Sequence, residues 1–205
     1  TRMAADAVGA TRLHRPEWVA VHPHSGEVFV TLTNGSGNGA SVNSNRNPNP
    51  YGHIVRFSES RTDDTAFSWD IFLLAGDPSY EPNVPPDQPV FGSPDGIWVD
   101  PSGIVWIQTD ISNSSQNLAS RGYDGIGNNA MLAAVPETGE LKRFMTGPRG
   151  CEITGVVMTP DQRTMFVNIQ HPGESTTYWN NLNGGAPTTA NPSTVSNWPT
   201  GNESN

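Results

Sequence analysis

Ser93-Pro94-Asp95-Gly96-Ile97-Trp98-Val99-Asp100-Pro101-Ser102-Gly103-Ile104-Val105-Trp106-Ile107-Gln108-Thr109 is two short apolar runs around an Asp/Pro/Gly turn. β-branched and aromatic residues suit a pleated, half-buried surface, and the turn residues reverse the chain, so the stretch reads as a β-hairpin. The pattern recurs on both sides. Trp18-Val19-Ala20-Val21-His22-Pro23 leads through Gly26 to Val28-Phe29-Val30-Thr31-Leu32-Thr33, and Gly155-Val156-Val157-Met158-Thr159-Pro160 leads through Asp161 to Met165-Phe166-Val167-Asn168-Ile169-Gln170. Pro23, Pro101 and Pro160 close the first runs at intervals of 78 and 59 residues. That exceeds the roughly 40–50 residues of familiar propeller blades by an amount that long loops can supply.

The reading that follows is an all-β chain forming a β-propeller. The first two units can each complete a four-stranded blade: Tyr51 to Phe57 and Phe67 to Gly76 continue the first, and Met131 to Val135 and Leu141 to Met145 continue the second. In a propeller the innermost strand of every blade lines the axis, so residues at the same end of each inner strand converge. Glu17, Asp95 and, slightly displaced, Glu152 hold that position, each in a turn marked by Pro or Gly just before an apolar run. Distant carboxylates then become neighbours. Arg15 precedes Glu17 by two residues, a spacing that shares a face in extended chain, and Pro16 restricts Arg15 toward extended geometry. A guanidinium fork suits bidentate recognition of an oxyanion, and carboxylates suit calcium or iron; simple pairing with other charges is the competing local reading.

Composition bounds the rest. With 21 Gly and 18 Pro in 205 residues and 34% hydrophobic residues, the chain is loop-rich rather than helical. The net charge of −9 leaves no basic stripe for phosphates, which argues against nucleic-acid partners and anionic membranes. No apolar run is long enough for a transmembrane helix, and no signal peptide is recognisable at the start. Cys151 is the single cysteine, so no internal disulfide forms; without a neighbouring base it reads as a small buried residue. His53 lacks metal-ligand spacing and reads as structural. Residues 1–11 read as a connection without chemistry. Residues 34–49 and 111–129 read as polar loops, the latter at the channel mouth, and Asp124-Gly125-Ile126-Gly127-Asn128 lacks the further acidic positions of a calcium loop. Two regions result: a partial propeller over 1–174, and a polar extension over 175–205 that wraps the surface or is partly disordered.

Several longer motifs carry a resemblance. Arg15-Pro16-Glu17-Trp18-Val19-Ala20-Val21-His22-Pro23, Asn49-Pro50-Tyr51-Gly52-His53-Ile54, Ser93-Pro94-Asp95-Gly96 and Thr146-Gly147-Pro148-Arg149-Gly150-Cys151-Glu152-Ile153-Thr154-Gly155, with Met165 to Glu174, are similar to the C-terminal half of PhoX-type alkaline phosphatases. The resemblance implies a six-bladed propeller, roughly three blades of it in this chain. It also implies export by the twin-arginine route to the periplasm or beyond, and hydrolysis of phosphate monoesters with ferric iron and calcium ions bridged by an oxo group. On it, Glu17, Asp95 and Glu152 are metal ligands and Arg15 holds a phosphate oxygen, so that Arg15 and Glu17 are the catalytic residues. Cys151 does not match the family's iron-binding cysteine, which belongs to the N-terminal half. That missing half is an expected partner, and the chain alone is expected to have negligible activity. Two rival functions stand beside this: a calcium-dependent propeller lactonase, suggested by Ser93 to Asp100, and a non-enzymatic propeller scaffold.

Overall fold

The computed structural model describes residues 1–35, 48–61 and 65–201, so most of the polar loop read at 34–49 lies outside the described residues. Among the described residues, ten strands form three antiparallel sheets. The first, in the order β1 (Pro16–Val21), β2 (Val28–Leu32), β3 (His53–Ser58), β4 (Ser68–Leu74), is a four-stranded meander. The second repeats it with β5 (Pro94–Val99), β6 (Val105–Thr109), β7 (Ala130–Val135) and β8 (Glu140–Thr146). The third is the hairpin of β9 (Glu152–Met158) and β10 (Met165–Gln170). This is a propeller-like all-β fold, with two four-stranded units and a two-stranded third.

Sheet follows sheet through alternating side chains. In the first sheet Phe29 and Ile54 are fully buried with Phe91, Ile97 and Ile107 of the second unit. The second sheet turns its other face, with Trp106 and Met131, toward Ile153, Val156 and Val167 of the hairpin. The second sheet is therefore covered on both faces, and every residue of β6 is buried. A strand with two apolar neighbours loses polar alternation, which is why Val105 to Ile107 is a continuous apolar run. The inner strands meet: β1 packs on β5, and β5 on β9.

Two short α-helices among the described residues depart from the purely β reading. Residues 1–11 contain α1 (Arg2–Ala7), a wholly exposed turn and a half in which Ala4, Ala5 and Ala7 supply the helix propensity. The C-terminal region contains α2 (Thr177–Asn183), capped by Thr176, whose side chain accepts the Trp179 N–H. Trp179 is buried, and its ring lies 4.4 Å from the Arg149 guanidinium carbon, so this segment is anchored beside β9. No helix among the described residues is long and apolar enough to cross a membrane.

Candidate metal and anion site

Each inner strand begins with a β-bulge or sits beside one. Pairing of β1 with β2 jumps from Pro16↔Leu32 to Val19↔Val30, and pairing of β5 with β6 from Pro94↔Thr109 to Ile97↔Ile107. Glu17 and Asp95 thus sit in equivalent bulges, a device that twists a strand and re-aims a side chain. In the third unit the irregularity falls between Ile153 and Gly155, and Glu152 sits just before it, paired with Gln170. The displacement of Glu152 seen in the sequence is therefore a shift of the bulge along the strand.

The bulges bring three carboxylates together. Ligand oxygens of Asp95, Asp110 and Glu152 all lie within 4.8 Å of one another. Two of these are sequence candidates; Asp110 is not. It stands one residue beyond β6, where its N–H donates to the Ser93 carbonyl, just as Thr33 N–H donates to the Arg15 carbonyl in the first unit. The corresponding position of the third unit is His171, directly after β10. The signal for Asp110 lies in the repeat, because the end of the second strand faces the start of the first in every hairpin.

Glu17 stands outside that trio and pairs with Arg15, whose Nε donates to Glu17 Oε1 at 2.9 Å. Arg15 Nη2 lies 3.5 Å from Asp110 Oδ2, so this one guanidinium links the first sheet to the acidic cluster. The expected extended geometry of Arg15 is wrong: its φ is +47°, and Ser93, the residue before Pro94, has a φ of +54°. A non-glycine residue in this region costs about 1–3 kcal/mol and persists only where the surroundings over-determine it. Here both carbonyls accept an N–H from just beyond the neighbouring strand, a tie that outweighs the proline's preference. In the third unit His171 also has a positive φ, +37°, with Nε2 3.6 Å from Glu152 Oε2 and Nδ1 3.3 Å from Glu174 Oε2.

Burial and mutual repulsion act on the acids together. Asp95 is pushed up to about 6, first by burial and then by the charges of Glu17 and Asp110, with Arg15 opposing. Glu152 is pushed up to about 7 by burial and then by Asp110 and Asp95, with His171 opposing. Burial also raises Asp110, against the pull of Arg15 and His171. Such a cluster either takes up protons or takes up a cation. Asp95 Oδ1 is buried with no hydrogen-bond partner among the described residues, an oxygen lone pair left for a ligand. The donor set is all oxygen, so the acidic triad can bind a metal ion, and hard cations suit it best.

Other sequence candidates resolve as structure. Cys151 is buried, and its carbonyl accepts from Asn129 Nδ2 at 2.9 Å. His53 is fully buried with Nδ1 2.6 Å from Asn49 Nδ2. Asp124 accepts the Tyr80 hydroxyl at 2.9 Å. Residues 111–129 border the acidic cluster: Asp110, Asn113, Gln116, His171 and Glu174 line a cavity of about 180 Å³. Gly150, at φ +68°, lets the chain pass against the Glu174 backbone, where a Cβ would collide.

Comparison with known proteins sets this geometry in context. A search of curated proteins finds no match. The solved structure of Pseudomonas fluorescens PhoX in complex with vanadate, a transition state analogue, resembles this chain with a TM-score of 0.75 at 42% sequence identity. The likeness covers 98% of this chain and 34% of that one, so this chain spans about a third of that length. A family model described as alkaline phosphatase PhoX matches residues 1–173, which contain both bulges, the acidic trio and Arg15. On that match the chain belongs to the PhoX alkaline phosphatase family.

Proposed function

We propose that this chain supplies part of the metal and phosphate site of a phosphomonoesterase, the remainder coming from the other two-thirds of the family length. The observation that carries this is the convergence of Asp95, Asp110 and Glu152 beside Arg15. Glu17, Asp95 and Glu152 are our metal ligands, with Asp110 joining them. Calcium and ferric iron held by these carboxylates would neutralise charge on a phosphoryl group and overcome the repulsion between acids and substrate.

Phosphoryl transfer asks the protein mainly for positioning and charge compensation. Arg15 offers a planar fork to a phosphate oxygen. Its orientation is set in advance by Glu17 on Nε and Asp110 near Nη2, so little ordering remains when substrate arrives. His171 lies between Glu152 and Glu174, with one ring nitrogen 3.6 Å from the first carboxylate and the other 3.3 Å from the second. The Pseudomonas fluorescens protein takes vanadate, a transition state analogue, which supports an oxyanion beside Arg15 here.

The lactonase reading draws on Ser93 to Asp100, but Asp100 lies at the far end of β5, locked in a turn, and adds nothing to the site. We further propose a periplasmic or extracellular location, testable by cell fractionation. The deciding experiment is turnover by the metal-loaded protein at full family length. We expect hydrolysis of p-nitrophenyl phosphate and none of sugar lactones, and a fall of about 10²–10³-fold in Arg15→Ala. The 205-residue chain alone should be nearly inactive. Lactone hydrolysis without phosphatase activity would overturn the reading.

A further inference from the structure

We infer that the cavity beside Arg15 selects phosphomonoesters whose alcohol portion carries a second anionic group, and that Arg121 is the residue that holds it. The inference rests on the phosphatase reading for the reaction but not for the binding. The cavity measures about 330 Å³ and is lined by Arg15, Ser93, Ser112, Ser115, Arg121 and Tyr123 among others. That volume suits a small metabolite. Among the described residues no Asp or Glu lines it. In a chain of net charge −9 this is a local reversal of sign.

Arg121 has no ion pair and no side-chain hydrogen bond among the described residues, whereas Arg15, Arg56 and Lys142 each face a carboxylate. Its backbone is fixed. It ends the 3-10 turn Ala119–Arg121, its N–H donates to the Leu118 carbonyl, and the next carbonyl, that of Gly122, accepts the Tyr51 hydroxyl at 3.2 Å. Tyr123 is buried and donates to the Pro50 carbonyl at 2.7 Å. Arg121, with no ion pair among the described residues, lines a cavity shared with Arg15, and two guanidinium-bearing residues on one cavity are arranged for an anion.

The position of the cavity decides which part of the substrate it takes. Ser112 lines both this cavity and the acidic one containing Asp110, His171 and Glu174. Arg15 bridges the two, lining one and pairing with Asp110 of the other. With the reacting phosphate at Arg15, cations lie to one side and the alcohol portion to the other, toward Arg121. A carboxylate or a second phosphate meets that guanidinium; a neutral alcohol leaves it unused.

The test compares glycerol 3-phosphate with 3-phosphoglycerate, nearly the same size but differing in the carboxylate, on the metal-loaded protein at full family length. We expect kcat/KM to favour 3-phosphoglycerate by about 10-fold or more, the worth of a charge-assisted hydrogen bond. Arg121→Ala should abolish the preference while leaving glycerol 3-phosphate within about 2-fold, and Arg121→Lys should keep part of it. Arg163→Ala, which removes the same charge in the β9–β10 turn, should change neither. Fructose 1,6-bisphosphate against fructose 6-phosphate asks whether phosphate serves as well as carboxylate. Binding is measured separately with phosphonoacetate against ethylphosphonate, which need no turnover. Preference for phosphonoacetate that Arg121→Ala erases supports the pocket even if no phosphatase activity is found, which would sink the reaction instead. Equal loss on both substrates, or no effect of Arg121→Ala on rate or binding, overturns the inference.

Discussion

Asp95 and Asp100 stand five residues apart, at opposite ends of β5, and the protein treats them in opposite ways. Asp100 is 3% exposed yet fully satisfied: Oδ1 accepts from Ser102 N at 2.8 Å, Ser102 Oγ at 2.5 Å and Ile104 N at 3.1 Å, while Oδ2 accepts Trp106 Nε1 at 2.9 Å. Burial alone would raise its carboxyl, but these donors together hold it below the ordinary range. Asp95 has a buried oxygen with no donor among the described residues, and its carboxyl is driven up to about 6. One aspartate closes a turn; the other is kept unsatisfied at the axis. The difference separates a carboxylate that serves folding from one available to a ligand.

The largest expected effect is at the axis. In the metal-loaded protein at full family length, on the phosphatase reading proposed above, Asp95→Asn or Glu152→Gln should lower turnover by at least about 10³-fold and reduce bound metal in parallel, read by kinetics and metal analysis on the same preparation. Folding should survive, since each amide keeps the shape of the acid and relieves the repulsion around it; unfolding of Asp95→Asn below the expression temperature would erase the contrast. At the other end, Asp100→Ala should cost about 2–4 kcal/mol in denaturant unfolding, because four donors lose their acceptor, without changing metal content. A smaller step sharpens this. Trp106→Phe removes one of those donors and should cost about 1–2 kcal/mol, with phosphatase rates unchanged.

The smallest effect is in pH dependence, and its sign differs between the two ends. In metal-free protein Asp95 and Glu152 have folded values above their unfolded ones, so their contribution to stability is complete below about pH 4 and is lost as pH rises through about 6 and about 7. Asp100, depressed, contributes above the unfolded value and loses that contribution as pH falls through its folded one. The metal-free Tm should therefore fall by a few degrees between about pH 5 and 8, and Asp95→Asn with Glu152→Gln should flatten that fall. Saturating calcium should oppose it. A Tm that rises over this range in the metal-free protein and is indifferent to the double variant would show that these acids are not strained.

Much of this is legible in the residues. The three hairpins, the four-strand units and the equivalence of Glu17 with Asp95 follow from alternating apolar runs and turn residues, which are local properties. Asp110 escapes such a reading because nothing in Gln108-Thr109-Asp110-Ile111 marks it; only the repeat register places it opposite Ser93. The conformation of Arg15 defeats it because the preference of a residue before proline is local, whereas the hydrogen bond from Thr33 is not. The helix at residues 177–183 hides in a polar sequence whose stability comes from burying Trp179.

Composition and periodicity by themselves determined an all-β, acidic, loop-rich chain built on repeated hairpins with acids at their entrances. Only the tertiary structure decided which acids share a site, that Glu17 turns to Arg15, and that Arg121 faces the same cavity as Arg15. The physical reason is range. Strand and turn preferences act over a few residues, but the potential at a carboxylate or guanidinium depends on every charge and every desolvating atom within several ångströms, and the packing of sheet on sheet chooses those neighbours.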